Sequence, residues 1–454
     1  MQFLTPLVSS NFDSGNIICD NKTDITTDGI NVTINCQIKK EPFTAGTDKK
    51  QHSQWFHFKV SNVESTALTI NITNAGETSY PAGWPNYLMR YSYDRINWYQ
   101  AADTTYDQGI LTARHECTTG SIWFAYFAPY SYEQHQALIG RCAQSEYCSL
   151  TSLGHTLDGR DIDLLTISDL PVNPIDPKKD SRPHFWITAR QHPGESMAEW
   201  CAEGFLERLL SPDDALAKKL RAECVFYIVP NANPDGSIRG HLRTNACGAN
   251  LNREWAPTGE YDAPTVERSP EIYYILQALD AYGCDGFLDI HGDEEIEGKR
   301  KEMRCFFWIC FFLLRTTSSY LLNQIDYLNL PANFLNKGTN GAATIDNVLE
   351  QQHTAFRETL LLVNPDFQTE KDYGKKKPGT RNVTICSAQI TVRFGCFAAT
   401  LEQPFKDCTD EYPQPKCGWN PKRSKRLGWT LLDAFNAVAV QQQTSTTTTS
   451  EGKL

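Results

Sequence analysis

Over the first third of the chain, apolar and polar positions alternate in short runs, at residues 31–38, 54–60, 67–72 and 121–127. Clusters of Gly, Asn, Pro and Asp separate the runs, the plainest being Pro81-Ala82-Gly83-Trp84-Pro85-Asn86. A period of two with this punctuation predicts an all-β sandwich domain over residues 1–148. No residue in that stretch stands out as catalytic. After Leu157-Asp158-Gly159-Arg160 the period changes. Residues 184–191 read as a strand and 195–210 as a helix, with Met197, Trp200, Cys201, Phe205 and Leu209 as its apolar stripe. Strand (224–230), helix (271–282), strand (286–290), strand (397–401) and a closing helix (427–438) follow. This alternation predicts an α/β domain over 149–440. Residues 441–454 are rich in Gln, Ser and Thr and are expected to be a disordered tail.

One block breaks the pattern. Lys299-Arg300-Lys301-Glu302-Met303-Arg304 runs into a continuous apolar stretch from Cys305 to Leu314, closed by Arg315. It is shorter than the ~20 apolar residues a membrane helix needs. As a core strand it needs cover on both faces.

The length of 454 residues allows two or three domains, at roughly 100–200 residues each. A net charge of -11 argues against general affinity for nucleic acid or an anionic membrane. The first ten residues have no basic region followed by a long apolar core, so they do not read as a secretory signal. The 15 cysteines are odd in number and contain no CxxC pair, which gives no support to a thiolate zinc site and points to reduced thiols in a cytoplasmic protein. Asn21, Asn31, Asn71 and Asn382 begin glycosylation sequons that then have no consequence.

The candidate chemistry lies in the second domain. His192-Pro193-Gly194-Glu195 places an imidazole and a carboxylate three residues apart, where a strand gives way to a helix. Zinc accepts both ligand types. Alone the pattern is common. His291 closes the apolar strand 286–290 and offers a third ligand, leaving one position for water, the ligand set of hydrolytic zinc sites. Asn231-Ala232-Asn233-Pro234-Asp235-Gly236 follows another strand, and Arg239, Arg243 and Asn250-Leu251-Asn252-Arg253-Glu254-Trp255 come after it. An arginine fork holds a carboxylate bidentately, as recognition of a free C-terminus requires. Glu402, at the end of strand 397–401, is a candidate general base. His192, the Asn233 turn, His291 and Glu402 each fall beyond the carboxyl end of an expected strand, the edge where open α/β sheets bind ligands.

In this order the residues resemble the zinc metallocarboxypeptidases, in the form of the cytosolic carboxypeptidase-like subfamily. The resemblance rests on His-Pro-Gly-Glu, Asn-Pro-Asp-Gly, Arg243-Thr244-Asn245, Asn250 to Trp255, Asp289-Ile290-His291-Gly292-Asp293-Glu294 and Thr400-Leu401-Glu402-Gln403-Pro404-Phe405. In the first domain it rests on Ser10-Asn11-Phe12-Asp13-Ser14-Gly15 and Gln54-Trp55-Phe56-His57-Phe58. It implies a mixed-sheet α/β/α catalytic domain and one Zn2+ ion held by His192, Glu195 and His291. Arg243 would stabilise the oxyanion, and Asn252 and Arg253 would bind the substrate's terminal carboxylate. Glu402 would be the base for a zinc-activated water. The implied substrates are protein or peptide C-termini, including glutamate on polyglutamylated proteins such as tubulin. Arg393, in Val392-Arg393-Phe394-Gly395, matches an Arg-Phe-Gly pattern of the subfamily and is the candidate for a basic subsite.

Two departures accompany the resemblance. The mobile Tyr that secreted members carry upstream of the catalytic Glu has no clear counterpart, Tyr373 being the nearest candidate. The block 299–328 is foreign to the family pattern. Gly298-Lys299 can be encoded by GGTAAG, which contains a common intron start, so the block reads as translated intron or a gene-model error. Two alternatives stand beside an active carboxypeptidase: a peptide-binding pseudoenzyme disabled by the block, and a zinc amidohydrolase of N-acyl amino acids.

Overall fold

The computed structural model describes residues 4–42, 51–172, 180–257, 263–294, 306–309, 339–367, 382–406 and 418–451, with backbone alone at 306–309, 339–347 and 443–451. Tyr373 and the rest of the block 299–328 lie outside these residues.

The N-terminal unit holds two five-stranded sheets. One has the order β1 (Leu7–Ser9), β4 (His57–Ser61), β10 (Ser121–Ala125), β6 (Arg90–Ser92), β7 (Tyr99–Gln100). The other has the order β2 (Ile25–Asp28), β3 (Asn31–Cys36), β5 (Ala67–Ile72), β9 (Ile110–Glu116), β8 (Asp103–Asp107). Alternate residues turn inward: Val32, Ile34 and Cys36 on β3, and Leu68, Ile70 and Ile72 on β5, join Phe56, Phe58, Val60 and Phe124 in one core. This is the expected β-rich domain. Helix α1 (Tyr132–Ala143) lies inside the range expected for that domain, yet it packs on β11 (Cys148–His155) and β12 (Asp161–Ile167) of the second unit. We therefore place the junction near residues 128–131.

The second unit is built on a mixed sheet of order β11, β12, β14 (Val225–Val229), β13 (His184–Ala189), β15 (Gly286–Asp293), β17 (Phe397–Pro404), β16 (Phe306–Ile309). β14, β13, β15 and β17 run parallel, and β11, β12 and β16 are antiparallel to their neighbours. Every residue of β13 and β14 is buried, as parallel strands covered on both faces require. The two faces feed two cores. Phe185, Ile187, Phe226, Ile228 and Leu288 pack with α2 (Ser196–Leu209), α3 (Ala215–Glu223), α6 (Thr339–Val363) and α8 (Pro421–Glu451). Trp186, Val225, Tyr227 and Phe287 pack with α5 (Pro270–Tyr282) and α7 (Cys386–Phe394). The layering is α/β/α, as the resemblance implies. Full burial of such a side chain contributes roughly 1.5–3 kcal/mol. Helices α2 and α8 cross at Gly204 and Gly428, where a Cβ would come within 2.0 Å of the Lys425 carbonyl and 1.8 Å of the Cys201 carbonyl.

One expectation differs. The chain beyond 441 is helical through Glu451 rather than disordered. It extends a helix already nucleated and packed, so each added residue needs no new nucleus, and Gln442 Nε2 anchors it by donating to the Asp285 carbonyl at 2.8 Å. Within the block 299–328, β16 pairs along β17, with Phe306 opposite Glu402. Among the described residues no helix is long and apolar enough to cross a membrane.

Candidate metal centre and active site

Between β13 and α2 the chain turns through Arg190, a non-glycine residue at φ 58°. That left-handed conformation is unfavourable for a bulky side chain. Three bonds hold it: the buried guanidinium donates to the carbonyls of Pro193 (2.8 Å) and Tyr130 (2.7 Å) and to Glu199 Oε2 (2.7 Å). The turn delivers His192 and, immediately before α2, Glu195. His291 arrives from the carboxyl half of β15.

The ligand atoms of His192, Glu195 and His291 lie within 4.8 Å of one another, and all three residues are buried. Glu195 Oε1 is 2.6 Å from His192 Nδ1 and its Oε2 is 2.8 Å from His291 Nδ1. The amide of Gly292 donates to Oε2 at 2.9 Å. Both imidazoles therefore present Nδ1 to one point. Their outer nitrogens are held elsewhere. His291 Nε2 meets Asp289 Oδ2 at 2.8 Å, and His192 Nε2 meets Asn250 Oδ1 at 3.1 Å. Asp289 is itself fixed by Thr188 Oγ1 (2.9 Å) and Gln191 Nε2 (2.6 Å), and Gln191 by Trp255 Nε1 (2.9 Å). Metal-ligating histidines ordinarily have such outer partners. Two imidazoles and a carboxylate, with one tetrahedral position left over, fit a hydrolytic zinc ion.

Burial lowers His192 to about 4 against the pull of Glu195. Burial alone would raise Glu195, but the charges of His192 and His291 hold it below the usual carboxylate range. Glu402 stands beside His291 across the β15–β17 ladder. Burial pushes its carboxyl well up; His291 opposes that, and Glu195, Asp293 and Asp289 add to it. A divalent cation held by the three ligands would add positive charge beside Glu402 and oppose this rise. Glu402 Oε2 is buried and has no hydrogen-bond partner among the described residues.

The other candidates fall in different places. Asn233 caps α4 (Pro234–Arg239) by accepting from Gly236 N and ties the turn back to the Gln191 carbonyl. Arg243 sits on the loop after α4, and its charge bears on both His192 and Glu294. Asn252 Nδ2 is 3.4 Å from His291 Nε2, and its Oδ1 accepts from Cys386 N. Arg253 donates to the Asn252 carbonyl at 2.7 Å. Arg393 does not join them. It lies in the last turn of α7 and pairs with Asp280 of α5. It therefore sits just before the amino end of β17, which starts at Phe397, five residues or about 16 Å along the strand from Glu402. The Arg-Phe-Gly pattern ends a helix there, so Arg393 is corrected from a subsite residue to a surface ion pair. Asn250, Asp289 and Gln191 had no assigned role. Asp289 alone carried a local signal, because residues two apart on a strand share a face.

The chain matches the family described as zinc carboxypeptidase over residues 138–296 and the cytosolic carboxypeptidase N-terminal domain over residues 8–127. It is 34% identical to a metallo-carboxypeptidase from Pseudomonas aeruginosa solved in complex with (2-guanidinoethylmercapto)succinic acid, with TM-score 0.77, covering 96% of this chain and 99% of that one. A metallo-carboxypeptidase from Burkholderia cenocepacia is 35% identical, with TM-score 0.75 and coverage of 96% and 99%. An uncharacterized protein of Zymomonas mobilis is 41% identical over 83% of this chain and 84% of its own length. Cytosolic carboxypeptidase 4 of Mus musculus is 31% identical over 55% of this chain, which spans 25% of that larger protein.

Proposed function

The chain belongs to the zinc carboxypeptidase family and is a peptidase, and from that premise we propose that it removes C-terminal residues from proteins or peptides with one zinc ion held by His192, Glu195 and His291. The observation that carries this reading is the convergence of those three donors at one sheet edge beside Glu402, whose buried Oε2 has no hydrogen-bond partner among the described residues. Bound zinc supplies Lewis acidity toward the scissile carbonyl and makes a water acidic near neutral pH. Glu402 accepts the water's proton and returns it to the leaving amine. Arg243 brings its guanidinium to the oxygen on which charge develops; loss of a comparable donor costs about 2.7–4 kcal/mol. Arg253 and Asn252 take the substrate's terminal carboxylate, the role an arginine fork suits.

The finer form of the proposal is release of glutamate, including from polyglutamylated proteins such as tubulin. It rests on the likeness to the cytosolic subfamily, not on Arg393. A cytoplasmic location is supported by the absence of disulfides among the described cysteines and by the names of those relatives.

The test is mass spectrometry on peptides that differ only in their last residue, incubated with zinc-loaded protein. Release of single C-terminal residues is expected, fastest for glutamate. Cleavage of N-acyl amino acids but no peptides would replace the reading with an amidohydrolase. Zinc binding without any turnover would replace it with a peptide-binding pseudoenzyme. The position of β16, with Phe306 opposite Glu402, is the observation that favours this last alternative.

A further inference from the structure

The loop that carries Arg243 has no regular structure of its own, running from the end of α4 at Arg239 to the short helix Leu251–Arg253. Buried amides on such a loop need partners, and the N-terminal domain provides them. Glu41, a buried residue of that domain, accepts four hydrogen bonds. Its Oε1 takes the amides of Leu242 (2.6 Å) and Arg243 (3.1 Å). Its Oε2 takes the amide (2.9 Å) and the hydroxyl (2.6 Å) of Thr244. The same domain grips the loop's start. Ser14 N donates to the Ile238 carbonyl at 2.9 Å, and Asn16 Nδ2 to the Gly240 carbonyl at 2.8 Å. Gly240 adopts φ 69°, and a Cβ there would lie 2.8 Å from the Ser14 carbonyl oxygen, so the two backbones meet without room for a side chain. The ring of Tyr80, also from the N-terminal domain, has its centroid 5.8 Å from Arg243 Cζ. On the opposite side, Gly194 of the metal-binding turn donates to the Leu242 carbonyl at 2.9 Å.

Arg243 is thus held between the metal-binding turn and a carboxylate from another domain. We propose that Glu41 is a positioning residue for Arg243, so that the N-terminal domain completes the active site rather than merely adjoining it. A carboxylate suits this place because bonds from N–H and O–H donors to an ionised acceptor are the strong ones. A neutral amide would turn an N–H toward a loop donor. Displacement of the guanidinium then falls on the developing oxyanion and leaves the zinc ligands in place.

This inference rests on the role proposed for Arg243, and a double-mutant cycle separates the two. Glu41→Gln is expected to keep wild-type zinc content and KM while kcat falls about tenfold to a hundredfold, the scale of a misplaced group. Glu41→Asp, which retains the charge, is expected to recover part of that loss. On an Arg243→Ala background Glu41→Gln is expected to add nothing, because it acts through the missing guanidinium. Wild-type kcat in Glu41→Gln, or losses that multiply in the double mutant, overturns the positioning role. Undiminished turnover in Arg243→Ala overturns the reading of Arg243 itself. Thr244→Val removes only one of the four bonds and serves if Glu41→Gln does not fold. Its smaller kcat loss must also vanish on the Arg243→Ala background, and an unchanged kcat in Thr244→Val counts against the proposal.

Discussion

His291 and Glu402 are register partners on the parallel strands β15 and β17. Residues opposed in this way project from the same face of a sheet, with strands about 4.8 Å apart. The pairing sets a candidate metal ligand beside a buried carboxylate whose Oε2 lacks a partner among the described residues. Glu402→Gln preserves the shape and removes the proton acceptor. Zinc content should stay at the wild-type level while kcat for peptide hydrolysis drops by about 10²–10⁴, the usual contribution of a general base. Metal analysis and peptide assays on one preparation check both halves. Substantial remaining turnover would reject Glu402 as the base.

Asp289 bonds the outer nitrogen of His291, and Thr188 and Gln191 fix it in turn. Replacing it by Asn keeps the size and loses the charge that orients the imidazole. Zinc affinity is expected to weaken by about 10–100-fold, as for other outer partners of metal-binding histidines. Competition against a chelator of known affinity measures this. An unchanged dissociation constant would show that the Asp289 charge does not support the site.

What could be read from the chain divides along local and long-range lines. β13 and β14 were legible because strands covered on both faces need unbroken apolar runs. His192, Glu195, His291 and Glu402 were legible as chemistry at strand ends. Asn250 and Gln191 were not, since their roles depend on partners brought in by the fold, His192 and Asp289. Glu41 is the extreme case, about 200 residues from the loop it caps. Arg393 was misplaced because a tripeptide pattern does not say whether it ends a helix or lines a pocket. Helix α1 carries a local signal at its start, where Ser131 and Gln134 form a reciprocal capping box.

A buried charge network behind the site predicts the pH dependence of stability. His135 Nδ1 is 2.7 Å from Glu199 Oε1, and its Nε2 is 3.2 Å from Asp163 Oδ2. Burial alone would lower its pKa, but the two carboxylates raise it from 6.5 to about 9. Folding therefore favours the protonated ring. Its contribution is complete below about 6.5, the unfolded value, and is lost as pH rises through about 9. Glu271 acts in the same direction in a lower window. Burial raises its carboxyl from 4.5 to about 8, so folding favours the neutral acid and stability declines across that interval. Urea midpoints should fall between pH 6.5 and 9.5, and His135→Gln should flatten that fall while leaving the part due to Glu271. An equal slope in the mutant would remove His135 as the cause.

The block 299–328 begins a few residues after His291, and its strand β16 lies along β17 with Phe306 opposite Glu402. The basic run 299–304 and the apolar run 305–314 within the block match neither flank, and Gly298-Lys299 is compatible with an intron start. The mature transcript is therefore expected to join codons on either side without the block. Sequencing of complementary DNA across codons 290–335 decides this. In parallel, a protein lacking 299–328 should bind zinc at least as tightly as the full chain and turn over C-terminal peptides faster. A mature message that retains these codons, together with equal activity of the two proteins, would make the block a genuine and tolerated part of the enzyme.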